Sequence, residues 1–274
     1  MNKYFLLILL SAIVSTTYAA KVDTISVHSA SMNKEVKTVV IRPDLYNKKE
    51  TYPVLYLLHG YSGSYKDWVN KAPALKKLVD YYGYMVVCPD GGYGSWYWDS
   101  PLDPSYAYET FVAKELVSYI DNNFSTVATK AGRAITGLSM GGHGALSLAF
   151  KHQDIYGAAG STSGGVDFRP FPKNWEIEKR IGSYAENEQL WDKLVVQNLV
   201  HLLVPKSLEI IIDCGNEDFF YNVNIALHEK FLNRNIKHTF VQMPGGHNWE
   251  YWQKSITYQL DFFAKFFSNR VLQK

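Results

Sequence analysis

The chain has 274 residues, with 28 Lys and Arg against 26 Asp and Glu, for a net charge of +2 at neutral pH. That balance, with no run of like charges, excludes a nucleic-acid partner. A composition that is 47% hydrophobic and 15% aromatic excludes a disordered chain, and the length suits one domain with a full core.

The chain opens on MNKYFLLILLSAIVSTTYAA, in which Lys3 precedes an apolar run from Tyr4 to Val14 and small residues end at Ala19-Ala20. This is the pattern of a secretory signal peptide. The apolar run is too short for a comfortable bilayer span. Residues 1–20 are expected to be removed after Ala19 or Ala20, leaving a secreted or periplasmic protein of residues 21–274. Loss of Lys3 alone lowers the net charge from +2 to +1, and no stable membrane association is expected.

Two opening strands are expected at Asp23–Ser29 and Glu35–Arg42, antiparallel to each other. A strand at Pro53–Leu58 ends in His59-Gly60 and leads to a helix over Asp67–Tyr82. A strand at Tyr84–Pro89 follows. The loop after it, GGYGSWYWDSPLDPSYAYE, is dense in aromatics. Aromatic faces suit sugar rings or planar groups, so Trp96 and Trp98 are the expected pocket residues. The competing reading is that such rings pack the long loop onto the body. A helix is expected at Tyr108–Asn123.

Next comes Gly137-Leu138-Ser139-Met140-Gly141, which reads G-x-S-x-G. The letters alone arise by chance in about one chain in ten of this length. Their setting is more specific: a short β-prone stretch, RAIT, precedes them, and the small-then-apolar GGHGALSLAF follows. A strand–turn–helix context is what presents a nucleophilic serine above a sheet edge. The helix is expected to run to His152, with a strand at Gly157–Ser161 after it. An insertion with amphipathic helical stretches spans Gly164–Pro205.

The run Ile210-Ile211-Ile212 is β-branched, as a buried parallel strand should be. Three acids follow at Asp213, Glu217 and Asp218. Asp213 is still on the strand, whereas Asp218 lies in the loop at the carboxyl edge, where sites of open α/β sheets form. Asp218 is the expected acid, with Glu217 in reserve. A helix near Asn222–Asn235 leads to a last strand over His238–Met243. His247 then follows Pro244-Gly245-Gly246, and a closing helix starts at Trp249. Alternation of strands and helices demands a mostly parallel sheet covered on both faces.

A serine hydroxyl is a poor nucleophile without a base and an orienting acid. The order Ser139, Asp218, His247 supplies all three in the sequence order of α/β-hydrolases. Two backbone N–H groups must also receive the developing oxyanion. Met140, following the nucleophile, provides one, and Tyr61, after His59-Gly60, the other. The remaining histidines lie in strand or helix settings, and His143, one turn into the helix after Ser139, is expected to pack. No Cys/His or H-E-x-x-H pattern suggests a metal, and the chemistry needs no cofactor. Cys88 and Cys214 end strands four positions apart in the usual hydrolase order. At about 4.8 Å per strand that separation, about 19 Å, is far beyond disulfide reach.

The segments VLYLLHGYSGSYKDW, GLSMGGHGAL, DCGNEDFFY and GGHNWEYW together resemble the esterase D branch of the α/β-hydrolases. That branch includes S-formylglutathione hydrolases, tributyrin-type and feruloyl esterases, and the antigen 85 mycolyltransferases. The resemblance covers about residues 35–268 and implies an α/β-hydrolase fold with a small helical insertion. It carries over the same roles to Ser139, Asp218, His247, Tyr61 and Met140. The implied activity is a secreted serine carboxylesterase acting on short-chain, acetyl or feruloyl esters, with a small-molecule or oligosaccharide ester as partner. Acyl transfer through the same acyl-enzyme is one alternative. A non-catalytic glycan-binding protein on the same scaffold is another. The sequence leaves the oligomeric state open.

Overall fold

A computed structural model describes residues 20–271, so all of the expected signal peptide except Ala20 lies outside the described residues. β1 (Lys21–Ser29) and β2 (Lys34–Arg42) form an antiparallel hairpin. β3 (Val54–Leu58), β4 (Met85–Pro89), β5 (Arg133–Gly137), β6 (Ala158–Thr162), β7 (Glu209–Gly215) and β8 (Thr239–Met243) are mutually parallel wherever they pair. The sheet runs β1-β2-β4-β3-β5-β6-β7-β8, with β2 antiparallel to β4.

Strands buried on both faces read as continuous apolar runs, and period-two alternation then divides them between two cores. Val54, Tyr56 and Leu58 pack into one layer, Leu55 and Leu57 into the other. The second layer is covered by α1 (Asp67–Lys71), α2 (Leu75–Tyr82) and the C-terminal helix described below. The sequence suggested one helix over Asp67–Tyr82. It is broken at Ala72, which has φ −117° and ψ 82°. Pro73 follows, and a residue before proline is pushed out of the helical region.

The first layer is covered by α3 (Tyr108–Thr110), a π-helical turn at Phe111–Leu116, α4 (Val117–Asn123) and α5 (Met140–Lys151). The insertion contributes α6 (Ile177–Ile181), α7 (Tyr184–Leu194) and α8 (Val196–Leu199). Its Val166, Phe168 and Trp191 are buried in this layer, so it buttresses the body. Arg180 ties it to the long loop after β4: its Nε–H donates to the Gly94 carbonyl (3.2 Å), and its guanidinium lies 3.5 Å from the Tyr106 ring centre. α9 (Tyr221–Asn233) and α10 (Trp249–Val271) complete the chain, the latter on the second layer. Cys88 and Cys214 are free and buried on β4 and β7, with β3, β5 and β6 between them. Burial pushes both thiols up, away from thiolate. No helix among the described residues is long and apolar enough to cross a membrane.

Candidate active site

Ser139 sits between β5 and α5 with φ 55° and ψ −116°, a conformation that an L-residue keeps only when its surroundings impose it. Close packing imposes it here. A Cβ on Gly137 would lie 2.7 Å from the Gly141 backbone, and one on Gly141 would lie 2.6 Å from the carbonyl oxygens of Leu58 and His59. Both glycines of the motif are therefore required by contact. The Ser139 N–H donates to the Thr162 carbonyl (2.9 Å), which anchors the turn to β6.

The Ser139 Oγ lies 2.9 Å from His247 Nε2. On the other side of the ring, His247 Nδ1–H donates to both oxygens of Asp218, at 2.8 and 3.0 Å. The Asp218 carboxylate is fully shielded from solvent and also accepts the Phe220 N–H at 2.8 Å. Of the three acids the sequence offered, Asp218 is the one that reaches His247. Glu217 is exposed. Asp213 is buried on β7 and accepts hydrogen bonds from Gln259 Nε2, Thr162 Oγ1 and Tyr251 Oη. Its burial pushes its pKa up to about 6. The His247 ring is fixed laterally by Phe219, Phe220 and Trp252, with centroids at 4.3, 5.4 and 4.9 Å.

The amides of Tyr61 and Met140, on the two sides of Ser139, find no protein acceptor among the described residues. Met140 is the first residue of α5, where helical N–H groups lack partners and the helix dipole is positive. The Tyr61 amide is set by its neighbour. The Gly60 carbonyl accepts from His59 Nδ1–H (2.8 Å) and the Gly63 N–H (3.1 Å). In a trans peptide the N–H points opposite to the carbonyl, so pinning the Gly60 oxygen also aims the Tyr61 N–H. His59 is 1% exposed, and its Nε2 accepts the Gly91 N–H at 2.7 Å, which fixes the neutral Nδ1–H tautomer. Burial holds its pKa below the usual imidazole value.

Ser139, His247, Gly60 and Tyr61 line a cleft of about 380 Å³. Its walls carry Trp175, Phe219, Trp249, Trp252, Asp67 and Lys71. Trp175 and Phe219 are stacked, 5.8 Å apart at 18°. A larger depression of about 710 Å³ lies at the amino end of β7 against the loop after α9. It contains none of these groups, and sites of parallel sheets form at the carboxyl end, so the smaller cleft is the relevant one.

The expectation for Trp96 and Trp98 is corrected. Each is 1% exposed, and neither lines the cleft. The two rings stack on each other at 5.6 Å in the first core layer. Trp98 Nε1–H donates to His143 Nε2 (2.9 Å), and Trp96 Nε1–H to the Trp175 carbonyl (3.3 Å). Packing of the long loop consumes these rings, so the competing reading was the right one. His143 packs as expected, pushed down to about 3 by burial and held neutral. The cleft aromatics that sequence reasoning missed had one usable signal. Trp249 and Trp252 stand three apart at the start of a helix, directly after His247, and so share a face.

The family model described as "Putative esterase" matches residues 29–263. An acetyl esterase of Caldicellulosiruptor saccharolyticus is 28% identical over 261 residues, covering 88% of this chain and 97% of its own. The diacylglycerol acyltransferase/mycolyltransferase Ag85B of Mycobacterium leprae is 27% identical, over 84% of this chain and 80% of its own. Among solved structures, a ferulic acid esterase superposes with a TM-score of 0.80 at 27% identity, over 91% of this chain and 99% of that one. With an eight-stranded α/β-hydrolase sheet beneath the Ser139 turn, the chain belongs to the "Putative esterase" family and is a carboxylic ester hydrolase.

Proposed function

We propose that the protein is a secreted serine carboxylesterase that removes short or planar acyl groups, such as acetyl or feruloyl, from carbohydrate. The observation that carries this reading is the unbroken chain from Ser139 Oγ to His247 Nε2, both on the cleft, and from His247 Nδ1 to the buried Asp218. His247 takes the Ser139 proton as Oγ bonds to the ester carbonyl carbon. The Tyr61 and Met140 amides receive the resulting oxyanion. Collapse of the tetrahedral intermediate breaks the bond to the alcohol, which leaves with the proton held by His247. His247 then deprotonates a water that attacks the acyl-enzyme, and the second collapse frees the acid and restores the serine.

The stacked Trp175 and Phe219 suit a flat acyl group. Acetyl and ferulic acid esters are those named by the relatives. Export rests on the leader sequence. The test is a hydrolysis panel with purified protein: p-nitrophenyl acetate, butyrate and octanoate, methyl ferulate, and acetylated or feruloylated xylo-oligosaccharides, each beside Ser139→Ala. Turnover abolished in the variant is expected, and a folded wild type that cleaves no ester overturns the reading. The mycolyltransferase relative favours a second outcome of the same chemistry, in which a carbohydrate alcohol replaces water. Acylated acceptor among the products of a reaction with added oligosaccharide would identify it.

A further inference from the structure

The reaction gives no part to the carboxylate of Asp213 on β7, which is 1% exposed. Its side-chain partners are neutral donors from other elements. Oδ2 accepts Thr162 Oγ1–H of β6 (2.9 Å) and Gln259 Nε2–H of α10 (2.6 Å), and Oδ1 accepts Tyr251 Oη–H of α10 (3.1 Å). A carboxylate buried without a cation costs stability, so this one calls for a gain elsewhere.

Those partners lead to the loops that carry the triad. The Thr162 carbonyl accepts the Ser139 N–H at 2.9 Å, so the residue held by Asp213 also anchors the nucleophile turn. The Tyr251 ring packs against the other two loops. A Cβ on Gly245, just before His247, would lie 2.8 Å from Tyr251 Cδ2, and one on Gly215, just before Asp218, would lie 3.2 Å from the same atom. The Glu217 N–H donates to the Gly245 carbonyl (3.0 Å) and ties the two loops together.

Resting on the esterase reading, we propose that Asp213 is a positioning residue for the triad, and that it acts as the carboxylate. Ionised, it accepts from Thr162, Tyr251 and Gln259 at once. Protonated, it adds a donor to a ring of donors, and the hydroxyl of Thr162 or Tyr251 must turn away. The Ser139 turn or the His247 loop then loses a support, and a displacement of about 1 Å costs about 100-fold in rate. Catalysis thus needs two deprotonated groups, the His247 imidazole and the Asp213 carboxylate. Burial pushes the Asp213 pKa up to about 6, within the range where a rate can report it. Tyr251 from α10 and Cys214 next along β7 also face it, and burial pushes both up, so they stay neutral there. The Asp218 charge reaches Tyr251 and Cys214 as well and is held by His247.

The experiment records kcat and KM for p-nitrophenyl acetate from pH 4.5 to 8 with wild type, Asp213→Asn and Tyr251→Phe. Near-ultraviolet circular dichroism at each pH puts the rates on the basis of folded protein. Below pH 6, the logarithm of wild-type kcat/KM should fall with a slope approaching two, and that of Asp213→Asn with a slope of one. At pH 8, Asp213→Asn should lower kcat about tenfold with KM within about threefold. Tyr251→Phe keeps the carboxylate but removes one bond to its ionised form, so its acid limb should move up by about one pH unit. A purely structural carboxylate would change only the folded fraction. A wild-type slope of one, a folded Asp213→Asn protein with wild-type kcat at pH 8, or an unmoved acid limb in Tyr251→Phe overturns the proposal. Ser139→Ala separates the two levels of failure. If it is inactive while Asp213→Asn matches wild type, only the positioning role fails; if it retains wild-type turnover, the esterase reading fails as well.

Discussion

Replacing His59 by Phe tests whether a buried imidazole sets the proposed oxyanion site. The substitution keeps a flat aromatic ring, somewhat larger than imidazole, and its edge contact with Tyr97, whose centroid is 6.1 Å away. It removes both ring nitrogens. The Gly60 carbonyl then loses the 2.8 Å bond from Nδ1–H and keeps only the Gly63 N–H, so the Gly60–Tyr61 peptide can rotate. The Gly91 N–H loses its 2.7 Å acceptor and is left buried. Two lost hydrogen bonds and one orphaned donor cost about 2–4 kcal/mol of stability. Complete loss of one oxyanion donor costs about 100- to 1,000-fold in kcat. Because Gly63 still holds the carbonyl, a fall of about 10- to 100-fold is expected, with KM changed less than about threefold, since the donor acts mainly in the transition state. The assay is steady-state hydrolysis of p-nitrophenyl acetate together with the affinity of a boronic acid, which forms a tetrahedral anion on the serine. Boronate affinity should fall in parallel with kcat. A folded His59→Phe protein with kcat and boronate affinity within twofold of wild type would refute the reasoning.

The corrected tryptophans make a second expectation. Trp98→Ala should cost about 3–5 kcal/mol of stability in urea denaturation, as for a fully buried large ring, with KM for methyl ferulate nearly unchanged. Trp175→Ala, at a half-buried ring on the cleft, should do the reverse, raising KM at a smaller cost in stability. Reversal of that pattern would return Trp98 to the pocket. Asp213 predicts a pH effect of definite sign. Its folded pKa of about 6 lies above the 3.8 of the free side chain, so the native state binds the extra proton between those values. The associated stability is present below pH 3.8 and is lost as pH rises through 6, by about 3 kcal/mol. Urea midpoints from pH 4 to 7 should therefore fall in wild type relative to Asp213→Asn. A constant difference across that range would remove the buried acid as the cause.

Local pattern carried a large part of this protein. Apolar runs such as VLYLL and Ile210-Ile211-Ile212 identify strands buried on both faces, because a parallel sheet covered by helices leaves them no polar face. The two glycines around Ser139 were legible because only a residue without Cβ survives their contacts. The order of serine, acid and histidine was legible because each stands in a loop at the carboxyl end of a recognisable strand. Even the break at Ala72 was written in Pro73. Long-range packing decided the rest. Asp213 was set apart by its place on β7, but Glu217 and Asp218 are adjacent acids in one loop, and only the path of that loop exposes the first and turns the second to His247. Trp96 and Trp98 look the same in sequence as Trp175 and Trp249. Trp96 lies in the long loop after β4, where it has φ 54° and stacks inward, whereas the insertion and α10 bring the other two to the cleft. Strands and turns follow from contacts between near neighbours in the chain, which the sequence displays. The direction of a loop side chain depends on partners tens of residues away, and only the folded structure brings them together.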